Sequence, residues 1–283
     1  MGLGGQIFRS LFVRVVMAAH SVLCVYKLAD VRNNYMYLLL LAPYLIMLAE
    51  VVYKSCKKDF HENRWFSLSM LLCLFSSVPS IWLLELDRLD KQMSANTTDC
   101  DRMLSHGKGG IELKGENFVD ILRTILVNDD TLISILEQML LYMMIVGRWI
   151  LPRGKSTRHD ISQLLIMYLG MASDITELFA LLEMVILRRD TELTHTILAL
   201  WTLSLIQFTI VLTAQSEKGC FKNEIWSIIL TCVLQDLPFL VIRLFIIFYY
   251  GIITYSIVAF SCKNLILLAV LMYRIHVIRM DPE

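Results

Sequence analysis

The chain has 283 residues, of which 57% are hydrophobic and 18% are charged, and its 26 basic and 26 acidic side chains leave no net charge. Soluble proteins are nearer to half apolar and a quarter charged, so this composition is typical of a membrane protein. The neutral balance gives no indication of nucleic acid as a partner. The seven cysteines have neither CxxC nor Cys/His spacing, so no disulfide framework, metal or other cofactor is indicated.

Eight apolar stretches approach or exceed the roughly 20 helical residues that cross a bilayer. A helix satisfies its own backbone hydrogen bonds in lipid. We therefore expect an all-α polytopic membrane protein, a bundle of about eight transmembrane helices forming one unit over residues 1–283. The predicted spans are Leu11–Tyr26, Tyr35–Tyr53, Phe66–Leu84, Leu132–Ile150, Ile161–Leu187, Thr194–Ala214, Trp226–Phe248 and Ile252–Met272.

Basic residues are concentrated in alternate connections between these spans. Because such residues mark the cytosolic ends of membrane helices, both termini are predicted to be cytosolic. The pattern does not distinguish the plasma membrane from an endomembrane. The basic residues on the predicted cytosolic side are Lys54, Lys57, Lys58, Arg64, Arg148, Arg153, Lys155, Arg158, Lys218, Lys222, Arg274 and Arg279.

Residues 85–130 are then predicted to form an extracellular or lumenal loop. Asn96 begins the triplet Asn-Thr-Thr, an N-glycosylation sequon, on the side where glycans are added. We therefore predict a glycoprotein. Apolar residues repeat at helical spacing over residues 116–127, which predicts an amphipathic helix. It either lies in the outer membrane interface or packs on the outer end of the bundle, and the sequence leaves both open.

Several spans contain ionisable residues, which are rare inside a bilayer and usually functional. The seventh span is the clearest case, since Asp236 and Arg243 interrupt an otherwise apolar run. Counting residues from the predicted span ends puts Asp174, Glu177, Asp236 and Lys263 near the midplane. The polar residues that make up the candidate site are Glu137, Asp174, Glu177, Gln235, Asp236, Arg243 and Lys263.

Matching depths predict which of these charges meet. Asp236 and Arg243 are seven residues apart on one helix face, so they stand two turns from each other and each needs a partner on another helix. Lys263 matches Asp236 or Asp174 in depth, and Arg243 matches Glu137. With one lysine facing several acids, the excess charge is negative, which suits a cation, although one acid could instead hold a proton.

Two further expectations concern helix packing and span ends. Small residues beside Asp174 are expected to let another backbone approach closely; these are Gly170, Ala172 and Ser173. Glu50 and Glu85 lie at span ends and are expected to reach the lipid headgroups.

Enzyme motifs are missing from the sequence. The run Gly154-Lys155-Ser156 imitates the end of a phosphate-binding loop, but Trp149 occupies the position of the required glycine. Neither HExxH nor GxSxG occurs. We therefore expect that the protein is not an enzyme.

Several ordered motifs resemble those of the transmembrane protein 26 family. The resemblance runs through most of the chain, which looks shorter than vertebrate members and lacks much of their polar carboxy-terminal tail. It implies a multi-pass protein of about eight helices with a glycosylatable outer loop, and it implies no activity. The motifs are Val78–Leu86, Gly147–Pro152, Ser162–Leu165, Ala172–Ile175, Gln235–Leu244 and Lys263–Asn264.

Two functions remain open from the sequence. The buried charges could conduct an ion, a proton or a lipid headgroup; the acid–Pro–apolar stretch of the seventh span is similar to one in XK-related lipid scramblases, as analogy only. Alternatively, the protein is a non-catalytic scaffold or cell-surface interaction protein whose buried charges only fix helix packing. Lipid is the expected environment, and the sequence identifies no protein partner or oligomeric state.

Overall fold

Apolar side chains dominate every regular element of the chain, and these elements are helices. The computed structural model describes residues 3–57, 66–94, 129–151, 158–184, 190–209 and 232–280, and this part contains no β-strand. Its α-helices are α1 (Leu3–Val31), α2 (Pro43–Lys57), α3 (Leu68–Ser94), α4 (Asp129–Ile150), α5 (Arg158–Ala180), α6 (Thr191–Ile206), α7 (Leu237–Tyr250) and α8 (Tyr255–Met280). Each overlaps one of the eight predicted spans.

Six helical stretches in the described ranges are long and apolar enough to cross a membrane. The two other helices are α5, whose acids Asp174 and Glu177 lower its mean hydropathy, and α6, which has 16 residues in the described part. The all-helical, multi-spanning class is confirmed, whereas eight crossings and cytosolic termini stay predictions. The six stretches are Gly4–Val31, Tyr35–Lys57, Leu68–Lys91, Thr131–Ile150, Cys232–Tyr250 and Tyr255–Val277.

The connection after α3, predicted as the outer loop, begins later than expected. Helix α3 continues to Ser94, so residues 85–94 belong to a helix rather than to the loop assigned to 85–130. Apolar spacing explains the extension, since Leu89 is buried together with Glu85 on the same helix. Asn96 and the predicted amphipathic helix at 116–127 lie outside the described residues.

Prolines and one glycine define where helices change. A 3₁₀ turn at Tyr35–Leu41 gives way to α2 at Pro43, where a proline at the first helical position leaves no donor unpaired. Pro79 lies inside α3, and Gly251 ends α7 with a φ of 64°. A second 3₁₀ turn, Leu181–Glu183, follows α5.

The core forms where α1, α3 and α4 pack together. Gly147 on α4 permits this approach, because a Cβ there would meet Met17 Cε at 2.8 Å and Met70 Cε at 3.1 Å. Helix α6 packs on α3 and α5, and α8 packs chiefly on α7 and on the π-helical turn before it. Helix α5 also packs on α4, so α5 and α6 connect the α1–α3–α4 core to the charged helices α7 and α8.

Ion pairs hold the two acids expected at the headgroups. Glu50 lies 3.3 Å from Arg14 Nη2 and 2.6 Å from Lys54 Nζ. Glu85 is buried and accepts from Arg88 Nη1 at 2.8 Å. The expectation that Glu85 reaches the headgroups is therefore wrong, because its side chain is buried in the bundle, whereas that for Glu50 stays a prediction.

Asp190 joins two helices that are distant in sequence. Its side chain caps α6 by accepting from the backbone N–H groups of Glu192 and Leu193, at 3.0 and 3.3 Å. It also accepts from the hydroxyl of Tyr250 at the end of α7. The Tyr250 hydrogen bond, followed by that from Leu193, holds the pKa of Asp190 below its ordinary value.

Replacing Asp190 with alanine is expected to lower the free energy of unfolding by about 1 kcal/mol, the usual effect of losing an N-cap. Because the pKa of Asp190 is lowered in the folded protein, the stability that this residue contributes decreases as the pH falls. The carboxylate contributes its full stability above the unfolded pKa of about 4 and loses it as the pH falls through the lower folded value. Thermal unfolding in detergent from pH 7 to pH 3 measures this. Tyr250→Phe, which keeps the cap, should show a smaller loss, and equal losses in the two variants would contradict the capping role.

Candidate functional site

Helices α5 and α8 meet through one ion pair deep in the predicted membrane. Lys263 Nζ on α8 lies 2.6 Å from Asp174 Oδ1 on α5. The side chain of Asp174 is 5% exposed, whereas that of Lys263 is 44% exposed. The lysine stem therefore lies along the outer surface while its ammonium group reaches the buried carboxylate. Depth matching had left Asp174 and Asp236 as alternatives for Lys263, and the structure selects Asp174.

Arg243 on α7 is fully buried and contacts the backbone of Asp174 rather than its carboxylate. Its Nη2 donates to the backbone oxygen of Asp174 at 3.4 Å. Its guanidinium carbon lies 5.2 Å from the centre of the Phe260 ring and 5.8 Å from that of Phe239, which are cation–π distances. Nε and Nη1 have no hydrogen-bond partner. Arg243 is thus held by two aromatic rings and one carbonyl.

The expected pairing of Arg243 with Glu137 is not found. Glu137 is buried on α4, where the carbonyl oxygen of its neighbour Leu136 accepts from His20 Nε2 on α1 at 2.9 Å. Glu177, half-buried on α5, is the acid within electrostatic range of Arg243 besides Asp174. Glu137 and Arg243 had been matched by depth alone, and they lie in different parts of the bundle.

A short π-helical turn, Cys232–Asp236, precedes α7 and carries two polar residues inward. Pro238 explains the turn, because it has no N–H to bond the carbonyl four residues earlier, and the helix widens before it. Gln235 Nε2 donates to the backbone oxygen of Met171 on α5 at 3.3 Å. Asp236 is buried within electrostatic range of Asp174 and Lys263.

Asn264 is a buried polar residue on α8, the helix that packs on the π turn, and the sequence analysis did not include it among the candidate site residues. It follows Lys263 on α8, is 0% exposed, and neither atom of its amide has a hydrogen-bond partner. The signal that could have found it is an amide in an apolar helix, at the spacing that α8 uses for its buried face. Ile257 and Ser261 occupy the preceding positions of that face.

The predicted site residues therefore form one cluster with one outlier. Asp174, Lys263 and Arg243 are in contact, Gln235 is attached through Met171, and Asp236 and Glu177 lie within electrostatic range of these charges. Glu137 lies elsewhere. Three carboxylates and two basic side chains give the cluster a formal charge of −1 when all are ionised.

The small residues beside Asp174 do not pack as expected. Gly170 and Ser173 are exposed, and a Cβ placed on Gly170 would meet nothing within 4 Å. Ala172 alone of the three is buried. The expectation of close backbone approach is wrong for Gly170 and Ser173, because these residues face outward from α5.

A second buried polar network lies between α1, α2 and α3. Ser21 Oγ lies 2.6 Å from Tyr44 Oη and 2.7 Å from Ser77 Oγ, and the Tyr44 hydroxyl is 2.9 Å from the backbone oxygen of Met17. His20 Nδ1 is 3.4 Å from Ser77 Oγ. These groups partner one another, so the network is explained by packing of the three helices. Within the described ranges, no group of three His, Cys, Asp or Glu side chains could hold a metal ion.

A family model described as Transmembrane protein 26 matches residues 5–274, nearly the whole chain. No solved structure matches the sequence.

Proposed function

The chain belongs to the transmembrane protein 26 family, and from that premise we propose that it is a multi-pass membrane protein in which charges of α5, α7 and α8 form a conduit for a small cation or a proton. The observation that supports the proposal is the buried Asp236. One of its carboxylate oxygens has no hydrogen-bond partner, and the lysine in range is already bound to Asp174. A lipid headgroup remains the less supported cargo, since the buried excess charge is negative.

The energetic argument concerns an ionised group without a partner. An isolated carboxylate buried in an apolar medium is strongly disfavoured unless it is paired or neutralised. The cluster already has its two basic side chains beside Asp174, so a further positive charge is required for neutrality at Asp236. A proton or a small cation supplies this positive charge. If that ion enters and leaves the site reversibly, it can be transported along the conduit.

A flux assay tests the conduit directly. The purified protein is reconstituted in liposomes, and uptake of protons or of alkali cations is followed under an imposed gradient. Asp236→Asn is expected to reduce flux by roughly tenfold or more, which corresponds to ~1.4 kcal/mol of binding or barrier energy, with unchanged surface abundance in cells. Glu137→Gln, a buried acid outside the cluster, is the matched control and should retain flux. Equal loss of flux and abundance in Asp236→Asn would reject the conduit.

The alternative is a scaffold or cell-surface interaction protein, and the closed Asp174–Lys263 pair favours it. Buried ion pairs often fix helix register and nothing more. Under this alternative the segment connecting α3 and α4 binds a partner. Replacing residues 95–128 with a neutral linker should then abolish partner binding while membrane insertion is kept, and binding that survives the replacement would exclude it.

The proposal includes a topology. We place eight crossings, both termini in the cytosol and Asn96 on the extracellular or lumenal side as an N-glycan acceptor, in the plasma membrane or an endomembrane, with no enzymatic activity. Removal of glycans by an amidase should then shift the electrophoretic mobility of the protein, and Asn96→Gln should abolish that shift. A persistent shift in Asn96→Gln, or none in the original chain, would contradict the assignment.

A further inference from the structure

Three side-chain oxygens near the π turn have nothing to bond. Gln235 Oε1, Asp236 Oδ2 and Asn264 Oδ1 are buried and without a hydrogen-bond partner. Their residues are 1%, 2% and 0% exposed. Buried polar atoms in native proteins nearly always have a partner, because leaving one unsatisfied is costly. Three such oxygens in neighbouring elements indicate a group that is not part of the polypeptide.

The two elements that carry these oxygens, the π turn and α8, pack on each other. The turn Cys232–Asp236 packs on α8, and Asn264 lies on the buried face of that helix with Ile257 and Ser261. Gln235 uses its amide nitrogen for the Met171 carbonyl, which leaves its oxygen for another contact. π turns within α-helices occur frequently at functional sites.

The chemistry of the oxygens indicates a hard cation. Carboxylate and amide oxygens are ligands of hard ions, whereas thiolates and imidazoles suit zinc and copper. Interrupted membrane helices provide binding sites for Na⁺ in transporters, where a broken helix presents oxygens near the midplane. Asp236 lies at the end of such an interruption.

Charge balance selects a monovalent ion. Asp174, Glu177 and Asp236 contribute −3, and Lys263 and Arg243 contribute +2, so one positive charge makes the cluster neutral. A divalent ion would leave an excess of +1 in the interior. Lys263 cannot serve as that charge, because its ammonium group is already counted and lies 2.6 Å from Asp174.

We infer that Gln235, Asp236 and Asn264 bind one alkali-metal cation, of the Na⁺ or K⁺ class, between the π turn and α8. The site rests on the proposed conduit and names its cargo. The carboxylate of Asp236 supplies charge, and the two amides supply neutral oxygens.

Thermal unfolding of the purified full chain in detergent tests the site. Titration with NaCl or KCl, at constant ionic strength with choline chloride, should raise Tm saturably by roughly 5 °C at a hundred times Kd, as expected for a ligand that binds only the folded state. A rise with either ion supports the inference. A rise with CaCl₂ alone, or no rise beyond that in choline, would overturn it. If lowering the pH raises Tm and neither Na⁺ nor K⁺ changes it, the positive charge at the site is a proton and the inference is overturned.

Two variants keep the test independent of folding. Asn264→Leu replaces a buried, unsatisfied amide with an apolar group of similar size, so the protein should fold and lose the cation-dependent rise in Tm. Gln207→Leu is the matched control, because Gln207 is also buried with both amide atoms unpartnered but lies at the end of α6. It should retain the rise. A retained rise in Asn264→Leu, or a loss in both variants, would contradict the assignment.

Flux and binding separate the two proposals. A Tm rise that depends on Asn264, without alkali-cation flux in liposomes, would leave the site standing and reject the conduit. Flux that persists in Asn264→Leu, together with a Tm that ignores Na⁺ and K⁺, would reject the site while the conduit survives as a proton path.

Discussion

Lys263→Met is expected to lower the free energy of unfolding by about 3 kcal/mol, because it leaves Asp174 as a buried charge without its partner. Asp174 is 5% exposed, and its carboxylate has Lys263 Nζ at 2.6 Å. The double variant Lys263→Met with Asp174→Asn removes both charges and should recover most of the loss, since a neutral pair carries little desolvation cost. The free energies of unfolding in detergent are measured for the original protein, the two single variants and the double variant. Their differences give the coupling energy between Lys263 and Asp174.

The control for this cycle is an ion pair of similar length at a helix end. Lys54 Nζ lies 2.6 Å from Glu50 Oε1, and Glu50 also has Arg14 within 3.3 Å. Lys54→Met should therefore change stability by less than about 1 kcal/mol, because Arg14 still neutralises Glu50 and an (i, i+4) ion pair within one helix contributes only a few tenths of a kcal/mol. Equal losses of stability in the two lysine variants would contradict the argument that Asp174 depends on Lys263 as its basic partner.

Arg148→Met should destabilise the junction of α4 and α6 by about 3–6 kcal/mol, the sum of two hydrogen bonds of ~1.5–3 kcal/mol each from a charged donor. Arg148 is buried at the end of α4, where Nε donates to the Phe208 oxygen at 3.0 Å and Nη2 to the Thr209 oxygen at 2.8 Å. Thr209 keeps a second donor, since Ser67 N–H also bonds its carbonyl at 3.0 Å. The carbonyl of Phe208 is the group that loses its partner.

Arg148→Lys separates charge from geometry at this junction. A lysine keeps the positive charge near the end of α6, where helix carbonyls favour a cation, but it cannot direct two planar donors at two carbonyls. We expect an intermediate loss of stability, measured by thermal unfolding of the purified protein. A lysine variant as unstable as methionine would show that charge makes no contribution at this position.

The helices were predictable because apolar length is a strong signal in a membrane protein. Each predicted span overlaps a helix, and the ends were the weaker part. Helix α1 runs over Leu3–Val31 rather than Leu11–Tyr26, since Arg9 and Lys27, just outside the predicted ends, interrupt the apolar pattern without ending the helix. Arg148 was counted with the basic residues of the fourth connection, although the predicted span Leu132–Ile150 included it, and it lies in the last turn of α4.

The charged cluster was predictable in depth and not in direction. Counting residues along a span gives a height in the membrane, and this matched Lys263 to either Asp174 or Asp236, of which the structure selects Asp174. It does not give the side of the bundle that a residue faces, so Glu137 was matched wrongly to Arg243. Asn264 carries no charge, so a search for ionisable groups does not find it. That its amide is buried without a hydrogen-bond partner is seen only in the folded bundle, where α8 packs on the π turn.

Helix α8 is fastened to α5 by chemistry rather than by a broad packed face. It leans chiefly on α7 and the π turn, and the polar tie across to α5 in the described part of the chain is the hydrogen bond from Lys263 to Asp174. Neutralising Asp174 therefore also weakens the attachment of α8 to α5. An ion or proton that binds that carboxylate would release Lys263 and allow α8 to move relative to α5.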